Sequence, residues 1–430
     1  MYKLRVASHA KHNGTSPARL DHLVVLYIPA LDLRRIDPKT CPHLSGLLAS
    51  YPWVRMITLP MADHVPTLLT GTYPSEHGLW GPKLRTSHRI RTATQRLIDC
   101  LPDPVTTTVQ CALHMLRGPV DLATIAPRRR RRFEILRFKY VTQMRTEGVM
   151  LPINGKPSIF TVLGPGHCRY VFHDDHRRLR QLIDVIAEGN QALEMVEPHS
   201  LDRLAHWNLD NPERMADAYR RMDNFVAAVH AKCTRTGTGL LLLSDHGMEP
   251  VIGYVDLFGE LGALDVPPDD YDLFVENTRS TFWFHSDAAR SKIMSRLTTL
   301  EHGTLVHREE MKKFSLHFPD NAYGDAYFYA SPGYTFYPND FHRPLASWTL
   351  ALKDWQQRPR LRDPRHKGDH GYLPEHPSEC GFMLLADHHF ATTSTAASLV
   401  DFAPSVLAIL GRETPDCMIG NSVFVNREGV

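Results

Sequence analysis

The sequence has 430 residues, of which 43% are hydrophobic and 22% are charged, and its formal net charge is +2. This is an ordinary globular composition, and the length suits two or three average domains or one large α/β domain with insertions. A charge so close to zero excludes the broad basic field that attracts nucleic acid duplexes or anionic lipids. We therefore expect no nucleic acid duplex as a partner. Because no stretch reaches the roughly 18 apolar residues that cross a bilayer, we expect no membrane as a partner either.

The first predicted elements follow a polar segment, residues 1–20, that we expect to form a loose arm. Leu23–Ile28 (LVVLYI) is a continuous apolar run, which is typical of a strand buried on both faces, and Pro29 ends it. Three shorter elements are predicted next: a helix over Pro42–Tyr51, a strand over Val54–Leu59 and a turn over Pro74–Gly78.

The middle of the chain is more polar. Residues 100–150 hold a helical, basic stretch that includes five consecutive arginines, Arg128–Arg132. These arginines indicate either a solvated helix start or loop, or a patch that binds an anion or a partner. Ile159–Leu163 predicts a strand, and long amphipathic helices are predicted over His176–Glu188 and Pro212–Cys233.

The last third contains the clearest strands. Gly239–Leu243 (GLLLL) and Cys380–Ala386 (CGFMLLA) both predict buried strands, and Leu399–Leu410 predicts an apolar helix. Since strands alternate with helices and several strands are continuously apolar, the sequence predicts a largely parallel sheet covered on both faces. Residues 255–340 have shorter periods and several aromatic residues, so we expect them to form an inserted cap between core segments 21–254 and 341–430.

The cysteines and the amino terminus bear on the cellular compartment. The chain has seven cysteines, an odd number, and no Cys-x-x-Cys pair. This pattern is typical of reduced thiols in a cytosolic protein. The first residues, MYKLRVASHAKHNG, lack the apolar run of a secretory signal, and we therefore expect a cytoplasmic protein.

Acidic residues and histidines are paired at places where open α/β sheets form sites. Asp245 and His246 directly follow the GLLLL strand, and Gly247 leaves the turn uncrowded. Asp202 and His206 have the spacing that places two side chains on one face of a helix. His370 follows an acid in a second Asp-His-Gly sequence. Carboxylates and imidazoles together suit a divalent metal, although loop capping or a surface ion pair would explain each pair alone.

Taken together, these motifs resemble the type I phosphodiesterase and nucleotide pyrophosphatase branch of the alkaline phosphatase superfamily. The resemblance is carried by six segments: LLTGTYPSEHG at Leu68–Gly78, LDRLAH at Leu201–His206, SDHGM at Ser244–Met248, GDHGY at Gly368–Tyr372, LVDFAPSVLAILG at Leu399–Gly411 and MIGNSV at Met418–Val423. It implies a three-layer alkaline-phosphatase-like fold with a mostly parallel central sheet and a smaller inserted cap subdomain.

The resemblance also implies a pair of metal ions, typically zinc, that clamp a phosphoryl group. One ion would be held by Asp202, His206 and His370. The other would be held by Asp245, by His246, by an Asp after the first strand and by a Thr or Ser nucleophile.

Two positions of that second site depart from the family pattern. The first strand ends in Pro29-Ala30-Leu31 where the family has Asp-Gly-Leu, and proline cannot bind a metal; Asp32 is the nearest acid that could reach. Met61 occupies the nucleophile position, and a thioether cannot attack phosphorus. Asp63 and Thr67, which lie nearby, are weak candidates for a replacement.

From these features we expect a divalent-metal-dependent hydrolase of phosphodiester or nucleotide-type phosphoric esters, with an atypical nucleophile or a metal-bound water. Its partner would be a small phosphate ester, and its cofactor one or two ions. Zinc is favoured, although manganese and iron remain open. The alternative is a catalytically silent relative that binds a metal or a ligand. The sequence does not identify the residues that bind substrate.

Overall fold

The computed structural model describes residues 19–60, 63–81, 83–85, 101–117, 133–135, 152–173, 175, 179–186, 188, 190–340 and 344–427. Its strands, in chain order, are β1 (Leu23–Tyr27), β2 (Trp53–Ile57), β3 (Lys83–Arg85), β4 (Phe133–Ile135), β5 (Cys168–His173), β6 (Leu193–Pro198), β7 (Gly239–Ser244), β8 (Glu249–Pro250), β9 (Gly253–Val255), β10 (Tyr271–Val275), β11 (Arg279–Phe284), β12 (Gly303–His307), β13 (Ala326–Ala330), β14 (Tyr334–Phe336), β15 (Gly368–Asp369), β16 (Cys380–Leu385), β17 (Phe390–Thr392), β18 (Ala396–Ser398) and β19 (Phe424–Asn426).

The α-helices are α1 (Pro42–Ser50), α2 (His64–Thr70), α3 (Pro74–His77), α4 (Asp103–Arg117), α5 (Ile159–Leu163), α6 (Leu179–Val185), α7 (Ser200–Asn208), α8 (Pro212–Thr236), α9 (Leu257–Gly262), α10 (Asp287–Thr299), α11 (Pro344–Lys353) and α12 (Phe402–Ile409). Short 3-10 helices cover Leu33–Arg35, Arg308–Phe314, Trp355–Leu361, Pro377–Glu379 and Leu399–Asp401.

The described residues form a seven-stranded central sheet in the order β18-β2-β16-β7-β1-β6-β5. Its pairs are parallel except at β16, which runs antiparallel to both β2 and β7. In the middle of the sheet, Leu26 of β1 is in register with Val196 of β6 on one side and Leu242 of β7 on the other. The predicted α/β fold with a mostly parallel central sheet is therefore confirmed.

Strand β1 explains why the central strands are continuously apolar. Its alternate residues Val25 and Tyr27 pack in one hydrophobic cluster, and Val24 and Leu26 pack in another on the opposite face of the sheet. Helices α1 and α8 cover the second face, while α12 covers the first. Asp223 of α8 caps α1, since its carboxylate accepts two backbone N–H groups there. The three-layer arrangement follows from this two-sided burial.

A second sheet is formed by residues of the predicted cap. Strands β10, β11, β13 and β12 pair antiparallel in that order. One face carries Tyr327 and Tyr329, which share the large core cluster with Trp80, and the other carries Phe282 and Phe328. The two sheets thus share apolar packing. The boundaries of the cap remain a prediction.

The structure corrects three of the predicted elements. Ile159–Leu163 is helix α5 rather than a strand. A segment of five residues is too short to distinguish the two periods, and Ser158 caps the helix by accepting from the Thr161 N–H. Pro74–His77 is a short helix rather than a turn. In the described part of His176–Glu188, helix covers Leu179–Val185 and ends before Ile186, short of the predicted end.

Several predictions fall partly outside the described residues. Met61, Arg128–Arg132 and most of the amino-terminal arm lie there, although the Leu20 N–H donates to the Ile409 carbonyl. Six cysteines lie in the described part and are free thiols, and burial raises the pKa of Cys41 to about 12. In the same part of the chain, no helix is both long and apolar enough to span a membrane.

Candidate metal centre

Three of the predicted loops meet at one edge of the central sheet. Because β1, β6 and β7 are parallel, their carboxyl ends lie at the same edge. Helix α7, which carries Asp202 and His206, begins just after β6, and the turn after β7 carries Asp245 and His246. Strand β15 pairs with β8 just beyond that turn, and this pairing brings His370 to the same edge.

Asp202 is the centre of the first group of side chains. Its buried Oδ1 lies 3.4 Å from His370 Nε2 and 3.6 Å from His206 Nε2, which the helical spacing places above it. This oxygen has no hydrogen-bond partner. Burial would raise the pKa of Asp202, but the neighbouring imidazoles outweigh burial and hold the pKa well below its usual range.

The spacing of these donor atoms suits a divalent metal ion. Tetrahedral zinc, with bonds of about 2.0–2.1 Å, separates its ligand atoms by about 3.3–3.4 Å. His206 donates from Nδ1 to the Gly368 carbonyl at 3.0 Å, so its Nε2 lone pair is directed to Asp202. A buried carboxylate oxygen without a hydrogen bond, placed beside two imidazole nitrogens, is an arrangement that an ion would complete. Asp202, His206 and His370 therefore fit the predicted first ion.

His246 lies with this first group rather than apart from it. Its ring stacks on that of His370, with the centroids 3.7 Å apart and the planes 12° from parallel. Its Nδ1 donates to the Gly247 carbonyl at 2.8 Å, which leaves Nε2 as the available lone pair. Donor atoms of Asp202, His246 and His370 all lie within 4.8 Å of one another. The same Nε2 lies 3.5 Å from Asp245 Oδ1, so His246 stands between the two carboxylates, and its predicted pairing with Asp245 in a second site stays a prediction.

Asp245 is surrounded by hydrogen-bond donors. Its Oδ2 accepts from the Tyr27 hydroxyl at 2.6 Å and faces His64 Nδ1 at 3.2 Å, and its Oδ1 accepts from the His246 N–H at 3.0 Å. Burial would raise the pKa of Asp245, but the two histidines and Tyr27 hold it well below its usual range. Burial also lowers the pKa of His64, yet the hydrogen bond and charge of Asp245 outweigh it and raise the pKa. In contrast to Asp202, this carboxylate is satisfied by the protein.

The turn after β1 keeps the shape that the family pattern implies but lacks the acid. Ala30 has a φ of 60°, in the left-handed region that favours glycine. Asp32 does not extend into the site, because its carboxylate accepts from the Arg34 guanidinium at 2.7–3.1 Å and from the Met248 N–H at 3.2 Å. A Cβ at Gly247 would lie 2.6 Å from the Asp32 carboxyl group, so glycine is needed for this packing. Among the described residues, Asp245 and His246 are the two that could face a second ion, and two donors do not fit one.

The candidate nucleophiles lie in or beside helix α2. Asp63 is the N-cap residue of this helix. Thr67 is fully buried, and its hydroxyl lies 3.0 Å from His77 Nε2. Because the Leu79 N–H donates to His77 Nδ1, the His77 ring donates from Nε2 to Thr67. Burial lowers the pKa of His77 to about 3. Thr67 and His77 thus join α2 to α3, and within the described ranges His77 belongs to neither group of close His and Asp donor atoms.

Sequence reasoning missed His199, which lies on the other side of Asp202. Its Nε2 is 3.3 Å from Asp202 Oδ2 and its Nδ1 is 2.9 Å from Glu197 Oε1. Burial would lower the pKa of His199, but the two carboxylates outweigh burial and raise the pKa to about 9. The available signal was its position three residues before Asp202 at a helix start.

Two buried residues of the late loop were also missed. His366 Nδ1 lies 2.7 Å from Asp369 Oδ2, and the other oxygen of Asp369 is 3.6 Å from His206 Nδ1. His206, His366 and Asp369 thus form a second group of close donor atoms. Glu379 accepts the Gly371 N–H, and burial raises its pKa to about 7. Asp369, through His366, and Glu379, through the Gly371 N–H, both stabilise the loop that carries His370.

Comparisons with known proteins agree with this architecture. The family model of type I phosphodiesterase / nucleotide pyrophosphatase matches residues 23–373. The structure of human ectonucleotide pyrophosphatase / phosphodiesterase 5 superposes with a TM-score of 0.60 at 13% identity, over 93% of this chain and 97% of that chain. The murine protein, in an inactive form in complex with AMP, superposes with a TM-score of 0.58 at 13% identity, over 94% of this chain and 97% of that chain. No curated protein matches the chain. At such low identity the structural matches show a shared fold.

Proposed function

From the premise that the chain belongs to the type I phosphodiesterase / nucleotide pyrophosphatase family, we propose that it is a divalent-metal-dependent hydrolase of small phosphodiesters or nucleotide-type phosphoric esters. The observation that carries the proposal is the buried Asp202 oxygen, which lacks a hydrogen bond and lies beside His206 and His370. Because the donors mix carboxylate oxygen with imidazole nitrogen, zinc is the ion that we favour.

The chain's own residues prepare this centre. Gly368 and Asp369 lie against Nδ1 of His206 and so turn Nε2 of that ring to Asp202. His199 adds positive charge beside the same carboxylate. When bound, a divalent ion would supply charge for the phosphoryl oxygens and would acidify a neighbouring water. We propose an anionic phosphate ester as the ligand, consistent with the AMP complex of the murine protein.

The attacking group that we propose is water. The family's nucleophile position is Met61, which has no hydroxyl. Thr67 is buried and paired with His77, an arrangement that suits packing rather than attack on a ligand at the sheet edge. Asp63 is not among the residues that surround Asp202.

A second candidate function is a relative that binds a metal or a phosphate ester without hydrolysing it. One observation favours it: Asp245 accepts hydrogen bonds from Tyr27, His64 and the His246 N–H, so this part of the site is already satisfied. A site with fewer charges would still bind an anion but would stabilise the transition state less.

Metal analysis and two chromogenic substrates test the proposal. We expect purified protein to contain zinc after dialysis against it, and to hydrolyse bis(p-nitrophenyl) phosphate faster than p-nitrophenyl phosphate. Asp202→Asn should lose about 100-fold or more of both metal affinity and activity, because one ligand charge is removed. Asp217→Asn, which alters an exposed acid of α8, is the matched control and should change neither.

The outcomes separate the two candidate functions. Zinc bound without hydrolysis of either ester would favour the silent relative. If the wild-type protein binds no divalent ion, or if Asp202→Asn retains full activity, the hydrolase proposal is wrong.

A further inference from the structure

The two chain segments that lack the family's second-site ligands both contribute a donor to Asp245. Tyr27 stands two residues before Pro29, at the end of β1, and His64 stands three residues after Met61, at the start of α2. Where the family pattern implies an acid and a hydroxyl that bind an ion, this chain has a phenol and an imidazole that bind the carboxylate.

These donors nearly exhaust what Asp245 can accept. An ionised carboxylate has about four lone-pair sites, and three face the Tyr27 hydroxyl, His64 Nδ1 and the His246 N–H. All of these groups are buried. A buried carboxylate needs donors or an ion, and here donors are present. The remaining lone pair is on Oδ1, which lies 3.5 Å from His246 Nε2. Among the described residues, an ion there would have Asp245 and His246 as ligands, in place of the four that the family pattern implies.

We infer that Tyr27 and His64 take the place of the second metal ion, and that the chain binds one divalent ion, at Asp202, instead of a pair. The inference rests on the proposed function for the first ion. His246 Nε2 lies 3.5 Å from Asp245 Oδ1, but the His246 ring is stacked on His370 and its donor atom joins the Asp202 group, so we assign His246 to the ion at Asp202. The hydrogen bonds of Asp245 then have a structural role, because they join the turn after β7 to Tyr27 of β1 and to His64 of α2.

A titration of metal-free wild-type protein with Co²⁺ tests the count without relying on activity. We expect saturation at one equivalent, with the electron paramagnetic resonance signal of an isolated ion. Saturation at two equivalents of similar affinity, with the altered signal of neighbouring coupled ions, overturns the inference and leaves the proposed function intact. Absence of any binding overturns the proposed function, and the inference fails with it.

Paired substitutions locate the ion. Asp245→Asn keeps an oxygen that can accept from Tyr27, so we expect it to bind zinc at one equivalent with a Kd within about threefold of wild type. Asp202→Asn should weaken binding by about 100-fold or more. If Asp245→Asn weakens binding as much as Asp202→Asn, then Asp245 is a metal ligand and the inference is wrong.

Tyr27→Phe is the second variant, for the case in which Asp245→Asn does not fold. It removes one donor and adds no ligand, so the metal count should stay at one and the Kd should change by less than about threefold. A second, weaker equivalent in Tyr27→Phe would support the inference, because it would show that the Tyr27 hydroxyl keeps an ion from Asp245. A Kd for the first equivalent that rises as much as in Asp202→Asn would show that the Asp245 side belongs to the ion's site and would overturn the inference.

Discussion

Two buried carboxylates at the same sheet edge are in contrasting states. Oδ1 of Asp202 has no hydrogen bond. Imidazole nitrogens of three histidines stand 3.3–3.6 Å from the two oxygens of this carboxylate. Asp245 accepts from Tyr27 at 2.6 Å and from the His246 N–H at 3.0 Å, and it faces His64 at 3.2 Å. Both have a pKa held below the usual range.

The contrast teaches that an acidic residue in a family motif does not by itself identify a metal ligand. What matters is whether the rest of the fold already satisfies its lone pairs. Asp202 has lone pairs to spare and Asp245 has few, although both stand in well-matched motifs. The predictions below therefore ask whether the two carboxylates differ as strongly in solution.

The largest expected effect is that of metal removal. Because zinc would bind the folded protein and not the unfolded chain, free zinc at about 1,000 times its Kd should stabilise the protein by about 4 kcal/mol. Thermal melting of wild type with and without a chelator measures this effect as a shift in Tm. Asp202→Asn should show no shift with zinc, while Asp217→Asn should shift like wild type. An equal shift in Asp202→Asn would remove the contrast.

Tyr27→Phe should cost about 1.5–3 kcal/mol of folding free energy, because it removes a donor to a buried charged carboxylate. Urea denaturation of the chelated protein measures this cost. Tyr73→Phe is the control, since the Tyr73 hydroxyl is partly exposed and its hydrogen bond to Ser398 is long, at 3.3 Å. Its cost should be below about 1 kcal/mol. Equal costs would mean that the Tyr27 bond to Asp245 contributes little.

Gly247→Ala tests the packing behind Asp245. The added Cβ would lie 2.6 Å from the Asp32 carboxyl group, which Arg34 holds in place, so we expect a loss of about 1–2 kcal/mol. Gly46→Ala is the control, because no atom lies within 4 Å of its added Cβ and it stands inside helix α1. That change should stabilise the protein by up to about 1 kcal/mol. Urea midpoints for both variants decide the matter.

The sequence was sufficient for the sheet and for the residues that gather at its edge. Continuous apolar runs such as that of β1 identify strands buried on both faces, and the family resemblance implied that Asp202 and His370 lie together. It was not sufficient for the state of Asp245, because Tyr27 lies 218 residues away in the chain and contacts it only through the pairing of β1 with β7. The predicted strand over Ile159–Leu163 was wrong because a segment of five residues is too short to define a period.

The last expected effect, which is small over any one pH unit, is a pH dependence on the Asp202 side. In the chelated protein the pKa of His199 is raised from 6.5 to about 9 by Asp202 and Glu197, against the effect of burial. The folded state therefore binds more protons than the unfolded chain between these two values. The stabilisation is complete below pH 6.5 and is lost as the pH rises towards 9, by about 1 kcal/mol per pH unit.

Urea denaturation of chelated wild type and His199→Gln across this range measures the difference. A similar slope in both proteins would mean that His199 carries no charge beside Asp202. A slope that disappears when zinc is added would show that the ion and the charged His199 stabilise the same carboxylate, that of Asp202. Asp245 is already bonded to Tyr27, so we expect no such competition between an ion and a charged histidine there.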